Sequence, residues 1–234
     1  MKIPVYFIVL WISSMPLHAE SLEKQLDARA SESAAATPKV VRKQMADGIE
    51  AVRLEGVVGH AKKVGDAAPG FALTDAKGET VKLSGLLAKG PVVLTWYRGG
   101  WCPYCNIALN ALQKKLPEIR AAGATLVALT PELPDKTLST AEKHSLEFLV
   151  LSDVNHKVAK EYGIVFKLTP EVRDLYHSRF NLTEYNGKEA GEDSLPLAAT
   201  YIIGKDGKIL WAFLDADYRK RAEPDDIVAF LKKN

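Results

Sequence analysis

The chain has 234 residues, 47% of them hydrophobic and 26% charged, a composition that excludes collagen-like, disordered and polytopic membrane classes. Its 31 basic and 29 acidic side chains leave a net charge of +2, so neither nucleic acid nor an anionic membrane is expected as a partner. Two cysteines are too few for a disulfide-stapled mini-domain, and a chain this long can bury a core without staples.

Met1-Lys2 is followed by an apolar run over residues 3–12, broken only by Pro4, and then by a small mixed stretch ending in Leu17-His18-Ala19. This is the layout of a secretory signal peptide, residues 1–19, cleaved after Ala19. The apolar run is shorter than the ~20 residues that span a bilayer. The expected localisation is therefore exported, periplasmic or secreted. Residues 20–63 are polar and helix-prone, with Val41, Met45, Ile49 and Val52 on one face. Thr37 and Pro38 suit an N-cap and a first helical position. Residues 31–36 are small and weakly patterned, and read as a break. The segment reads as a helical N-terminal extension.

From Gly65 onward strands and helices alternate. Phe71, Leu73, Val81 and Leu83 flank Lys77-Gly78, a predicted hairpin. Val92-Val93-Leu94-Thr95-Trp96-Tyr97 predicts a central parallel strand, with Trp96 in the core. A helix is expected from about residue 102 to 122, stopped by Gly123 and kinked or divided by Pro117. Residues 125–129 predict a strand. Ser139 and Glu142 form a capping box for a helix near residues 140–145. Residues 148–151 predict a strand, and 155–162 a helix closed by Gly163. Residues 164–198 read as an insertion of loops and short helices. Strands at 200–203 and 208–214 flank the hairpin turn Asp206-Gly207. Glu223-Pro224-Asp225-Asp226 opens a last helix ending in Lys232 and Lys233. The pattern predicts an α/β fold within a domain of residues 64–234.

The chemistry is concentrated in Trp96-Tyr97-Arg98-Gly99-Gly100-Trp101-Cys102-Pro103-Tyr104-Cys105. A buried strand runs through a turn into a helix, which places both cysteines in the first turn. Unpaired backbone N–H groups and the positive dipole end favour a thiolate there. Gly99 and Gly100 permit the tight turn, and the sulfurs are expected to be accessible. A C-x-x-C ring is too short to stabilise a fold by loop closure, so the pair reads as a redox centre. A structural zinc site needs about four ligands. No second C-x-x-C exists and His60, His144, His156 and His177 show no paired spacing, so no metal and no cofactor are expected. Tyr97, Trp101 and Tyr104 are candidates to line the pocket or join the core. Glu161, Arg173 and Arg179 are expected on solvated faces.

Trp-Cys-Pro-Tyr-Cys after a β-run resembles the thioredoxin superfamily. Val64-Gly65-Asp66-Ala67-Ala68-Pro69, with Phe71 and Leu73, resembles the entry to the alkyl hydroperoxide reductase/thiol-specific antioxidant family, the peroxiredoxins. Leu151-Ser152-Asp153 and Asp217-Tyr218-Arg219 are further landmarks, and the C-x-x-C points to a peroxiredoxin-like branch. The resemblance implies a thioredoxin-like fold with a central mixed sheet flanked by helices. It implies a thiol peroxidase that reduces hydrogen peroxide or organic hydroperoxides and is recycled by a thioredoxin-like reductant. A homodimer is compatible with it. The family pattern P-x-x-x-T/S-x-x-C places its peroxidatic cysteine on Cys105, so Cys102 becomes the resolving thiol and Cys102–Cys105 the redox disulfide. Cys102 stands on the Thr/Ser position and Arg98 on the Pro position. The arginine that the family carries before the late strand is replaced by Ala198, and Arg98 is the candidate substitute charge stabiliser. Two other readings remain: a thiol–disulfide oxidoreductase for exported proteins, with Cys102 attacking, and a copper-holding thiol pair.

Overall fold

The computed structural model describes residues 20–75, 78–188 and 193–234. The signal-peptide reading of residues 1–19 and Lys77 of the expected hairpin turn lie outside them. The extension folds as α1 (Leu22–Ala36), α2 (Lys39–Glu55) and the single turn α3 (Val57–His60). Residues 31–36 do not break α1, because the run is rich in alanine, the strongest helix former. Thr37 ends α1 instead of capping α2, and Pro38 takes the cap position itself, in extended conformation. Gly56 closes α2 with a φ of 72°, a left-handed value at which only glycine is unstrained.

The domain starts with the hairpin β1 (Ala72–Thr74) and β2 (Thr80–Lys82), then a short helix α4 (Leu83–Leu87). β3 (Val92–Trp96) is buried along its whole length and leads into α5 (Pro103–Ala121). Pro117 does not divide α5. The ~3 kcal/mol cost of an interior proline is opposed by burial of Leu112, Leu116 and Ile119 around it. β4 (Thr125–Thr130) follows, then α6 (Pro134–Lys143), which starts one and a half turns before the expected capping box. Pro134 supplies the start, and Ser139 and Glu142 sit inside the helix.

β5 (Leu149–Ser152) leads through a 3₁₀ turn to α7 (Lys157–Glu161). Residues 164–198 hold more strand than expected. β6 (Val165–Lys167) pairs antiparallel with β7 (Ser194–Pro196), and between them lie α8 (Pro170–Phe180) and α9 (Leu182–Asn186). β8 (Thr200–Ile203), β9 (Ile209–Phe213) and α10 (Pro224–Lys233) complete the chain.

The main sheet has the order β5-β4-β3-β8-β9. β3 is central, parallel to β4 and antiparallel to β8, so the sheet is mixed. α5 and α10 pack together. α1 lies against α5, and α2 against α8. Leu22 and Leu26 of α1 are 3% and 4% exposed, so this helix is part of the core and not a loose leader. Its N-terminus is held from the far end of the chain: Glu223 accepts the N–H of Leu22 at 3.1 Å and that of Glu23 at 2.5 Å. This is N-terminal capping by a distant carboxylate. Glu223→Ala is expected to lose about 1 kcal/mol of stability in denaturant titration, with faster amide exchange confined to α1.

Candidate active site

Cys102 is the N-cap residue of α5 and Cys105 stands at its third position, so both sulfurs occupy the positive tip of the helix as expected. The turn that feeds them is fixed by space. A Cβ on Gly99, whose φ is 149°, would lie 2.2 Å from Trp101 Nε1, and one on Gly100 would lie 2.2 Å from Thr140 Oγ1. Cys102 N–H closes the turn on the Gly99 carbonyl at 3.0 Å, and Asn106 Nδ2 donates to the Gly100 carbonyl at 2.8 Å.

Three charged side chains converge on this tip, one from the same turn and two from distant loops. Arg98, just beyond β3, is 2% exposed. Its guanidinium lies 4.3 Å from the Tyr218 ring centre, 5.0 Å from Trp101 and 5.1 Å from Tyr176, and Nη2 donates to Tyr176 Oη at 2.7 Å. Aromatic faces, not a carboxylate, compensate this buried cation, and its Nε has no partner. Arg221, between β9 and α10, sends Nη2 to within 3.4 Å of Cys105 Sγ. Its Nη1 donates to the carbonyls of Tyr218 and Lys220, which aims the fork. Glu132, after β4, is fully buried. It accepts from Tyr97 Oη at 3.0 Å, from the Gly100 N–H at 2.9 Å and from Thr140 Oγ1 at 3.4 Å.

The two sulfurs differ. Burial pushes the Cys102 thiol up, and its hydrogen bond to Cys105 adds to that, so Cys102 keeps its proton. Burial would also raise Cys105, but the hydrogen bond from Cys102, the charges of Arg221 and Arg98, and the Arg98 backbone N–H outweigh it. The Cys105 thiol is therefore held well below its ordinary value, as a thiolate. Burial raises the Glu132 carboxyl, against three hydrogen bonds that lower it.

Both cysteines are free thiols, hydrogen-bonded to one another. One expectation is corrected. Neither cysteine is open to bulk solvent: Cys102 is 1% exposed and Cys105 0%. The cause is the extension, because α1 and α2 form one wall of a cavity of about 240 Å³ whose other wall holds Arg98, Trp101, Cys102 and Tyr104. Cys102 thus borders this cavity and not the outer surface. Trp101 and Tyr104 line that cavity, Tyr97 bonds Glu132, and Trp96 is core. Ala198 is buried and contributes no charge. Arg221 and Glu132 carry no signal in one sequence, since each reaches the site only through tertiary pairing.

The sequence model of the AhpC/TSA family matches residues 64–212. The chain belongs to this family. Among its relatives, Peroxiredoxin Bcp of Escherichia coli (strain K12) is 32% identical over 102 residues, 44% of this chain and 65% of that protein. The chloroplastic Peroxiredoxin Q of Populus jackii is 34% identical over 100 residues, 43% of this chain and 46% of that protein. The chain thus spans less than two thirds of the length of these curated relatives. The solved structure of peroxidoxin BcpB from Mycobacterium tuberculosis superposes with a TM-score of 0.57 at 24% identity, covering 73% of this chain and 97% of that one. This last likeness establishes the thioredoxin-like fold of the family. The matched stretch begins at residue 64, so α1 and α2, which wall the cavity, lie outside it.

Arg221→Gln is expected to raise the midpoint of the Cys105 thiolate titration by about one pH unit, read from thiolate ultraviolet absorbance in Cys102→Ser and Cys102→Ser/Arg221→Gln proteins. Glu132 has a folded value above its ordinary 4.5. Its contribution to stability is complete below the unfolded value and is lost as pH rises through the folded one. Glu132→Gln should therefore flatten the fall of stability with rising pH from about 4.5 upward, measured by denaturant unfolding across that window.

Proposed function

We propose that the protein is a thiol peroxidase whose attacking group is the Cys105 thiolate. The observation that carries this reading is the 3.4 Å contact of Arg221 Nη2 with Cys105 Sγ. A guanidinium beside the sulfur stabilises the thiolate, and its spare N–H groups can orient a peroxide oxygen at the same point. Cys105 Sγ attacks one peroxide oxygen, the O–O bond breaks, and the other oxygen leaves as an alcohol or water. Cys105 becomes a sulfenic acid. Cys102, protonated and hydrogen-bonded to Cys105, then condenses with it, releasing water and forming the disulfide. The resting thiols are thus the reduced end of the cycle and the Cys102–Cys105 disulfide its product.

The family and its relatives named as peroxiredoxins support the same chemistry. The reductant implied by the family is a thioredoxin-like protein, and a homodimer is compatible with it. Export through residues 1–19 belongs to the same proposal. The alternative, thiol–disulfide exchange with protein substrates led by Cys102, needs Cys102 as the attacking thiolate, whereas burial pushes the Cys102 thiol up and the guanidinium contact lies at Cys105.

Cys105→Ser should abolish peroxide consumption. Cys102→Ser should allow one turnover and leave sulfenic acid at Cys105, detected by dimedone labelling and mass spectrometry. Dimedone adducts found instead at Cys102 in the Cys105→Ser protein, with none at Cys105 in the reciprocal variant, would reverse the assignment. Peroxide loss no faster than with free cysteine would end the peroxidase reading.

A further inference from the structure

The cavity between the extension and the tip of α5 has an uneven lining. Five arginines border it, Arg29, Arg42, Arg98, Arg179 and Arg219, and among the described residues no aspartate or glutamate does. In a chain with 31 basic and 29 acidic side chains this is a local concentration of one sign. Arg29 is paired with Glu32 at 3.4 Å and Arg219 with Asp217 at 2.7 Å. Arg42 and Arg179 are exposed at the mouth with no carboxylate among the ion pairs of the described residues. Ala30, Ala34, Met45 and Trp101 add apolar lining beside Cys102.

The cavity also chooses between the sulfurs. Cys102 lines it, whereas Cys105 faces a much narrower cleft, about 10 Å³, beside Leu22 and Arg221. A molecule entering past the arginines therefore meets Cys102. At about 240 Å³ the space lies just below the ~300–1,000 Å³ of small-ligand sites. It is too small for a loop of a folded protein. Nor can a flat protein surface reach Cys102 while α1 is seated through Leu22, Leu26 and Glu223.

We propose that this cavity is the site of the reductant, and that the reductant is a small thiol carrying carboxylates in place of the thioredoxin-like protein that the family implies. The proposal rests on the peroxidase reading for the origin of the Cys102–Cys105 disulfide. The arginines at the mouth hold the carboxylates, and the thiol enters as a thiolate. Its sulfur attacks Cys102 Sγ. A new S–S bond forms to Cys102, the Cys102–Cys105 bond breaks, and its electron pair leaves on Cys105 as the thiolate beside Arg221. A low leaving-group pKa speeds this step. A second small thiolate then attacks the sulfur of the first. The small disulfide departs, and Cys102 is released and protonated. Two thiols are oxidised to one disulfide, and one protein disulfide is reduced to two thiols.

The test starts from full-length protein oxidised to the disulfide with diamide, so no peroxide step enters and its result is independent of the peroxidase reading. The probes are glutathione, its diethyl ester and a bacterial thioredoxin, and the readout is free protein thiol against time. Glutathione should reduce the disulfide about tenfold faster than the ester, the size of two exposed ion pairs. Added salt should erase that advantage. The Arg42→Gln/Arg179→Gln variant, altered only at exposed positions, should slow glutathione to the rate of the ester and leave the ester unchanged. In Cys105→Ser protein, glutathione disulfide should load Cys102, as read by mass spectrometry. Equal rates for glutathione and ester would overturn the proposal, as would thioredoxin outpacing glutathione at equal concentration. It also fails if the double variant slows consumption of a carboxylate-bearing hydroperoxide while glutathione reduction is untouched, since the cavity would then serve the oxidant.

Discussion

A negative sulfur in a place without water is the condition around which the rest of the site is arranged. Cys105 has no solvent exposure, and an isolated anion there would be neutralised by uptake of a proton. Four groups prevent that: the helix tip, the Cys102 thiol that donates to it, and the guanidiniums of Arg98 and Arg221. The neighbouring carboxyl of Glu132 opposes a thiolate, and burial raises its pKa. The guanidiniums of Arg98 and Arg221 suit a thiolate or a polarised oxygen at the same place.

The fold delivers these groups because β3 is the central strand. Its register against β4 and β8 fixes where the chain leaves the sheet, and the next residues are Arg98, Gly99 and Gly100. β4 lies beside it in parallel, so its exit places Glu132 at the same edge, where one carboxylate joins the Gly100 N–H and the Tyr97 hydroxyl. Arg221 comes from a loop 116 residues later in sequence and is aimed by the carbonyls of Tyr218 and Lys220. Cys102 and Cys105 are local to one another. Arg98 stands on the same turn, whereas Arg221 and Glu132 arrive by tertiary contact.

This division explains what the sequence could reveal. Runs such as Val92-Val93-Leu94 and the hairpin around Asp206-Gly207 are local patterns, and the strands stand where those patterns place them. The C-x-x-C at a strand-to-helix switch is also local. The capping box of Ser139 and Glu142 is equally local but ineffective, because Pro134 starts the helix earlier. Pro117 is tolerated because its neighbours are buried. Arg98 was legible as a charge near the cysteines, though not its cage of Trp101, Tyr176 and Tyr218. Arg221, Glu132 and the covering role of α1 had no local signature, since each depends on a partner tens to hundreds of residues away.

The cover over the sulfurs changes what burial means for the reaction. A thiolate shielded from water keeps stronger electrostatic contacts with Arg98 and Arg221 than an exposed one would. The same cover limits what can reach it. Cys105 borders only a cleft of about 10 Å³ beside Leu22 and Arg221, so the proposed peroxide must enter by a narrow approach. Reduction is more demanding, because an attacking sulfur must come into line with the Cys102–Cys105 bond. The structure meets that demand on the other side, where Cys102 borders the larger space under α1 and α2. Under the proposed cycle Cys105 and Cys102 thus border separate spaces, and the segment outside the family match builds one wall of the second. The raised Cys102 and lowered Cys105 thiols agree with that division: the sulfur that must leave easily is Cys105, and the sulfur that must be attacked is Cys102.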